Sequence, residues 1–233
     1  MAVETIAQAH ARDGDAGTGD AALGDAGPTD TSPARFDHLV IAGMITPASR
    51  VIDIGCGDGA LLQLLADAKS VDGRGVEIER ERVNACVARG LSVIQGDADN
   101  DLDDYPTGAF DYAVLSLTIQ ATRRPREVLE NMMRIGQRAI VSFPNFGHWG
   151  VRSKLLLTGR MPITKNLPDE WFDTPNAHMC TVLDFANLCR LTGADVTRIV
   201  GFNVAGRQLP GWLPMGGLNL LAEKAVFELE KRS

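Results

Sequence analysis

The stretch VIDIGCGDGALLQLLADAKS, residues 51–70, constrains this chain more than any other. Apolar Val51, Ile52 and Ile54 run into Gly55, Gly57 and Gly59, and a leucine-rich segment follows. Strand, glycine turn and helix in that order open many nucleotide-binding α/β sheets. The spacing from Gly55 through Gly57 to Ala60 also fits the dinucleotide fingerprint, which tolerates Ala at its third position. The glycines by themselves therefore leave the nucleotide open.

The alternation continues downstream. RVIDIG, GRGVEI, LSVIQGDA, FDYAVLSLTIQ and RAIVSF read as strands, with ALLQLLADA, ERERVNACVARG and PREVLENMMRIG as helices between them. Near-continuous apolar strands separated by helices of about a dozen residues predict an α/β fold, a parallel sheet covered on both faces. SPARFDHLVIAGMI predicts a helix ahead of the first strand, with Phe36, Leu39, Val40 and Met44 at helical spacing. VLDFANLCRLTG is a further helix, and ADVTRIVGFNV and LNLLAEKAVFELE read as two β runs. Residues 145–180, rich in Pro, Asn, Trp and His and without a clear period, read as a loop insertion or lid. Residues 1–32 are mostly Gly, Ala and Asp with little to bury, which predicts a disordered acidic tail ahead of one domain over 33–233.

The net charge of −7 is uneven. Glu4, Asp13, Asp15, Asp20, Asp25 and Asp30 face only Arg12 in residues 1–34, so the remainder is nearly neutral. Without a basic field, nucleic acid is not an expected partner. No stretch approaches about 18 uninterrupted apolar residues, so no membrane span is expected. Cys56, Cys86, Cys180 and Cys189 form no CxxC pair, and no apolar signal core opens the chain, which together predict a cytoplasmic location.

Carboxylates separate the nucleotide readings. Asp53 lies two residues before Gly55, at the carboxyl end of the first strand, where ligands of open α/β sheets sit. A dinucleotide would set its pyrophosphate beside it, and like charges about 4 Å apart repel by roughly 4 kcal/mol at an effective dielectric near 20. S-adenosylmethionine offers an ammonium and a sulfonium and no phosphate, so Asp53 favours it. Glu77, 22 residues after Gly55, can accept both ribose hydroxyls, which either ligand would ask of it. Asp97 ends the third strand, where it could take an adenine amino group while the Ala98 amide meets a ring nitrogen. Any one of these carboxylates could instead cap a following helix.

VIDIGCGDG, GVEI, GDAD and FDYAVLSLTIQ resemble, in order, the binding segments of class I S-adenosylmethionine-dependent methyltransferases. That resemblance implies a three-layer, doubly wound Rossmann-like sheet of seven strands with the last antiparallel. It implies S-adenosylmethionine or S-adenosylhomocysteine as cofactor. Asp53, Gly55, Cys56 and Gly57 would hold the methionine part, Glu77 and Ile78 would flank the ribose, and Asp97 and Ala98 the adenine. Ser116 and Leu117 would line the pocket floor. SLTIQATRRP, SFPNFGHWGVRSKLLLTGRMP, LPDEWFDTPNAHMCTVLDF and PMGGLNLLAEKAVFEL resemble, more narrowly, the methionine biosynthesis protein MetW family. The resemblance implies partnership with, or activation of, homoserine O-acyltransferase of the acetyl or succinyl type. Methyl transfer is not clearly assigned to that family.

No compact catalytic triad appears. Candidates gather after strand five: Asn145, His148 and Trp149, then Trp171, Asp173, Asn176, His178 and Cys180. His178 is the best general base by residue type, with Asn145 a second candidate, although a loop His among Trp and Asn commonly ties down its own loop. His178 and Cys180 alone make no zinc site, and no metal is expected. Phe146, Trp149, Trp171, Phe172 and Trp212 on expected loops suit an interface instead. A short helix over GHWGVRSKLLLTGRMP would gather Val151, Leu155 and Leu156 on one side. Three readings stand at this point: an accessory subunit, a small-molecule methyltransferase, and NAD-linked redox chemistry.

Overall fold

The apolar runs read as strands all enter a single sheet. The computed structural model describes residues 34–164, 170, 173–174 and 177–232; the tail expected over 1–32 lies outside the described residues. In chain order the elements are α1 (Ala34–Met44), β1 (Arg50–Ile54), α2 (Ala60–Lys69), β2 (Asp72–Glu77), α3 (Arg80–Ala88), β3 (Val93–Gln95) and a 3-10 turn at Leu102–Asp104. They continue as β4 (Phe110–Ser116), α4 (Pro125–Ile135), β5 (Gly136–Pro144), α5 (Trp149–Thr158), α6 (Val182–Leu191), β6 (Ala194–Phe202), α7 (Met215–Leu221) and β7 (Lys224–Lys231).

The seven strands lie in the order β3-β2-β1-β4-β5-β7-β6. β7 runs antiparallel between β5 and β6, and the remaining pairings are parallel. The direction of winding reverses between β1 and β4, and the crevice at such a reversal is where α/β sheets bind ligands. Successive side chains alternate faces. Ile52, Ile54, Ala113, Leu115, Val141 and Phe227 pack under α4 and α6, while Val51, Tyr112, Val114, Ile140 and Val226 pack under α1 and α2. On the first face Phe143, Phe185 and Phe227 meet with ring centroids 4.7, 4.9 and 5.6 Å apart. Truncating one such ring costs about 3–5 kcal/mol. A capping box starts α6: Thr181 accepts from the Asp184 amide, and the Asp184 carboxylate accepts from the Thr181 amide.

Three local expectations need correction. LNLLAEKAVFELE is not one strand: its first half is helical, within α7. The β5–β7 register ends at Pro144–Lys224 and the β6–β7 register at Phe202–Lys224. Glu223 still exchanges backbone bonds with Phe202 and Asn145, but the residues before it have no neighbouring strand, and a helix over Met215–Leu221 satisfies them internally. The inward face of α1 carries Asp37, Ile41 and Met44 with Val40 packed partly against it, as expected for Val40 and Met44, but Phe36 is exposed. Residues 145–180 contain the helix α5, but of its apolar side only Val151 is buried; Leu155 is exposed, and Leu156 and Leu157 are 85% and 82% exposed.

Candidate functional site

The three glycines of the first turn have positive φ angles, +72° at Gly55, +57° at Gly57 and +76° at Gly59, a region that disfavours side chains. Their surroundings differ. A Cβ on Gly55 would lie 2.6 Å from Thr118 Oγ1, and one on Gly59 would meet Leu91 at 2.5 Å, so both are close-packing positions. A Cβ on Gly57 would meet nothing nearer than Arg82 Nη1 at 3.8 Å, so its backbone is open to approach. The Gly55 and Cys56 amides both donate to the Val76 carbonyl, at 2.7 and 3.1 Å, tying the turn to β2.

Two carboxylates stand at this turn. Glu77, buried at the end of β2, is clamped by backbone donors: Gly57 N–H to Oε2 at 2.8 Å and Glu79 N–H to Oε1 at 3.0 Å. Asp53 is 1% exposed and its Oδ1 has no hydrogen-bond partner. Burial first, and the nearby Glu77 charge second, push Asp53 from an ordinary 3.8 up to about 8. At neutral pH it is thus mostly protonated in the free protein rather than the fixed charge expected from its position in the sequence. A cation beside it would pull the proton off; a diphosphate would hold it on.

The other implied residues are distributed along the same edge. Ile78 is 57% exposed, an apolar side chain directly after Glu77, and its carbonyl accepts from Gln95 Nε2. Asp97 is engaged locally: Oδ1 accepts from the Asp99 amide at 2.9 Å and Oδ2 from Asn100 Nδ2 at 2.7 Å. Its carboxylate closes a local turn rather than capping a helix, and Ala98 beside it packs partly against the core. Leu117 holds a φ of +57°, costly for a side chain with a Cβ, and its amide donates to the carbonyl and hydroxyl of Ser142 at 3.0 and 3.2 Å. Ser116 Oγ lies 3.1 Å from Ser142 Oγ. Cys56 is buried, and burial pushes its thiol far above the ordinary range; Cys180 is pushed up to about 11 and Cys189 to about 12. None of these thiols is a thiolate nucleophile at neutral pH.

The catalytic candidates separate. Asn145 is buried with its amide spent on backbone: Nδ2 donates to the Asn219 and Ala222 carbonyls, and Oδ1 accepts from the Gly147 and Val182 amides. It ties β5, α6 and α7 together. His148 caps α5 through Nδ1, which accepts from the Gly150 amide, and burial lowers its pKa. His178 is exposed, and its amide donates to the Gln120 carbonyl at 3.0 Å. Trp171, Phe172 and Asn176 lie outside the described residues. Among the described residues no group of three or more His, Cys, Asp or Glu could hold a metal ion, and no helix is long and apolar enough to cross a membrane.

Sequence reasoning missed Asp37, Gln120 and Lys224, which are buried on the same edge. Asp37 Oδ1, Asp53 Oδ1 and Gln120 Oε1 are the buried side-chain atoms without a hydrogen-bond partner among the described residues. Asp53 is near the end of β1, Gln120 follows β4 and Asp37 projects from α1 toward Ser116 and Ser142, so this edge suits a ligand rich in donors or positive charge. The available signal was Asp37 at i, i+4 and i+7 with Ile41 and Met44, an acid on an otherwise apolar stripe.

Comparison with known proteins agrees with this architecture. A methyltransferase from Archaeoglobus fulgidus superposes with a TM-score of 0.61 at 15% identity, over 85% of this chain and 92% of that one. One from Thermotoga maritima gives 0.58 at 19% identity, over 86% and 91%. Both are S-adenosylmethionine-dependent methyltransferases, and at such identities the likeness is one of fold. The bifunctional methionine biosynthesis protein MetXA/MetW of Rhodopirellula baltica is 31% identical over 207 residues, covering 84% of this chain. The chain spans only about a third, 33%, of that relative's length. The family model described as methionine biosynthesis protein MetW matches residues 35–229, and the chain belongs to that family.

Proposed function

We propose that the chain binds S-adenosylmethionine or S-adenosylhomocysteine at the glycine turn and serves as an accessory subunit of homoserine O-acyltransferase in methionine biosynthesis. The observation that carries the ligand is the pairing of a fixed Glu77 carboxylate with a buried, unpartnered Asp53 oxygen beside open Gly57 backbone. Glu77 would hold the ribose diol, Ile78 would cover a face of the base, and Asp53 would meet the cationic end. The Gly57 amide is already spent on the Glu77 carboxylate, so a diphosphate finds an acidic group and no free donor there, which counts against NAD. When bound, S-adenosylmethionine supplies an activated methyl group. The chain's own residues orient the ligand and keep water from Asp53.

The partner reading is supported by the Rhodopirellula relative, in which a MetXA region, a homoserine acyltransferase, and a MetW region share one polypeptide. Fusion fixes two modules at high effective concentration, which suits modules that work together. The exposed leucines of α5 and the exposed Trp149 and Trp212 supply apolar area for contact. Co-expression with homoserine O-acyltransferase from the same genome should give one co-eluting complex. Its acyl-transfer rate should change as S-adenosylhomocysteine is titrated. Separate elution, with an acyltransferase rate indifferent to this chain, would overturn the partnership.

A methyltransferase acting on a small molecule is the second reading, favoured by the buried Gln120 Oε1 after β4 and by the exposed His178 tethered to the same residue. It requires labelled methyl to pass from S-adenosylmethionine into a metabolite extract. A chain that binds the donor and transfers nothing would refute it.

A further inference from the structure

A second polar cluster stands on the sheet face covered by α1 and α2, sharing only Ser116 with the residues implied for the nucleoside pocket. Asp37 of α1 is 1% exposed; its Oδ2 lies 3.4 Å from Ser116 Oγ and 3.5 Å from Ser142 Oγ. Its Oδ1 has no partner. Lys224, at the first position of β7, is 6% exposed, and its ammonium makes no hydrogen bond or ion pair among the described residues. The two residues nonetheless feel each other: burial raises Asp37, and the Lys224 charge, then that of His38, draws it back.

An acid and a base, both more than nine-tenths buried, thus stand close but unjoined, each with unspent capacity. Buried charges ordinarily pair directly, because unpaired burial is expensive. Asp37 lacks a donor, preferably cationic. Lys224 lacks an acceptor, preferably anionic. The two serines offer neutral hydrogen bonds from the neighbouring strands. A net-neutral ligand bearing both charges a few bonds apart satisfies the pair without adding charge to the interior.

Position separates the cationic end of this cluster from the methyl donor's own amino-acid end. Lys224 is on β7, three strands from β1 and Asp53, or about 14 Å at about 4.8 Å per strand. We propose that Asp37, Ser116, Ser142 and Lys224 form a subsite for the zwitterionic end of a free α-amino acid, a second molecule beside the nucleoside pocket. The subsite shares Ser116 with the implied pocket floor, but its two charged ends are its own and it does not require that the nucleoside reading hold.

The test is calorimetric titration of the full chain with L-methionine, L-homoserine and L-alanine, with and without S-adenosylhomocysteine. For the amino acid that binds, its amide, which lacks the carboxylate, and its deaminated analogue, which lacks the ammonium, should each bind at least tenfold more weakly. In Asp37→Asn the discrimination against the deaminated analogue should vanish. In Lys224→Met the discrimination against the amide should vanish. The double variant Asp37→Asn/Lys224→Met restores a neutral interior, and melting curves with S-adenosylhomocysteine titration establish that each variant folds. Failure of all three amino acids to bind, or binding whose discrimination ignores both substitutions, would overturn the proposal and leave the nucleoside reading untouched. Loss of S-adenosylhomocysteine affinity in both variants, with 5′-methylthioadenosine binding unchanged, would also overturn it by assigning the cluster to the donor.

Discussion

Asp53→Asn should stabilise the protein while weakening its hold on a cationic ligand. In the folded chain Asp53 is raised from 3.8 to about 8, so between those values the native state carries a proton that the unfolded chain has released. By linkage, its contribution to stability is intact below about pH 4 and is lost as pH rises toward 8. At pH 7 the penalty is about three pKa units, or ~4 kcal/mol at 1.36 kcal/mol per unit. The replacing amide is also buried and brings an extra donor, costing about 1–3 kcal/mol of that gain. A net gain of roughly 1–3 kcal/mol remains, and at ~2–4 °C per kcal/mol for a chain of this size the melting temperature should rise by about 5 °C. Melting of both proteins from pH 4 to 8 tests it: the advantage of Asn should shrink by ~1.4 kcal/mol per unit as pH falls, vanish between about pH 4.5 and 6 where the Asp53 penalty equals the cost of the amide, and reverse by about pH 4. Calorimetry in buffers of different ionisation enthalpy should show S-adenosylmethionine binding to the wild type release close to one more proton at pH 7 than binding to Asp53→Asn. A variant no more stable than wild type at pH 7, or a stability gap indifferent to pH, would refute the reasoning.

Other substitutions separate structure from binding. Asn145→Ala strands four backbone groups and should lower stability by ~2–4 kcal/mol, seen in denaturant unfolding, while the surviving folded fraction binds S-adenosylhomocysteine normally. Gly57→Ala meets no crowding but adopts an unfavourable φ and blocks the open backbone. It should cost only ~1 kcal/mol of stability yet weaken S-adenosylhomocysteine at least tenfold by calorimetry. Leu156→Ser with Leu157→Ser touches side chains already in solvent. The melting temperature should hold within about 1–2 °C while co-elution with homoserine O-acyltransferase is lost.

Much of the fold was legible because the period of the apolar residues changes with the element. Val51, Ile52 and Ile54 cannot all be buried on an amphipathic surface strand, so β1 had to be central. The split of LNLLAEKAVFELE was not legible, because leucine and alanine suit either state and the decision rests with where β5 and β6 end. In the site, Gly55, Gly57 and Glu77 announced themselves by spacing and by strand ends. Asp37 and Lys224 did not: they lie 187 positions apart and meet only because β7 inserts beside β5. The bracing work of Asn145 was equally hidden, since it depends on which backbone groups the fold brings within 3 Å or so. Asp53 was placed correctly, but its protonation is set by burial.

The central claim is that this sheet edge receives a cationic adenosine compound without a phosphate. Calorimetric titration of the purified chain with S-adenosylmethionine, and with NAD under the same conditions, tests it most directly. S-adenosylmethionine should bind saturably, more weakly to Asp53→Asn, and NAD should give no measurable heat. Saturable binding of NAD that excludes S-adenosylmethionine would contradict it.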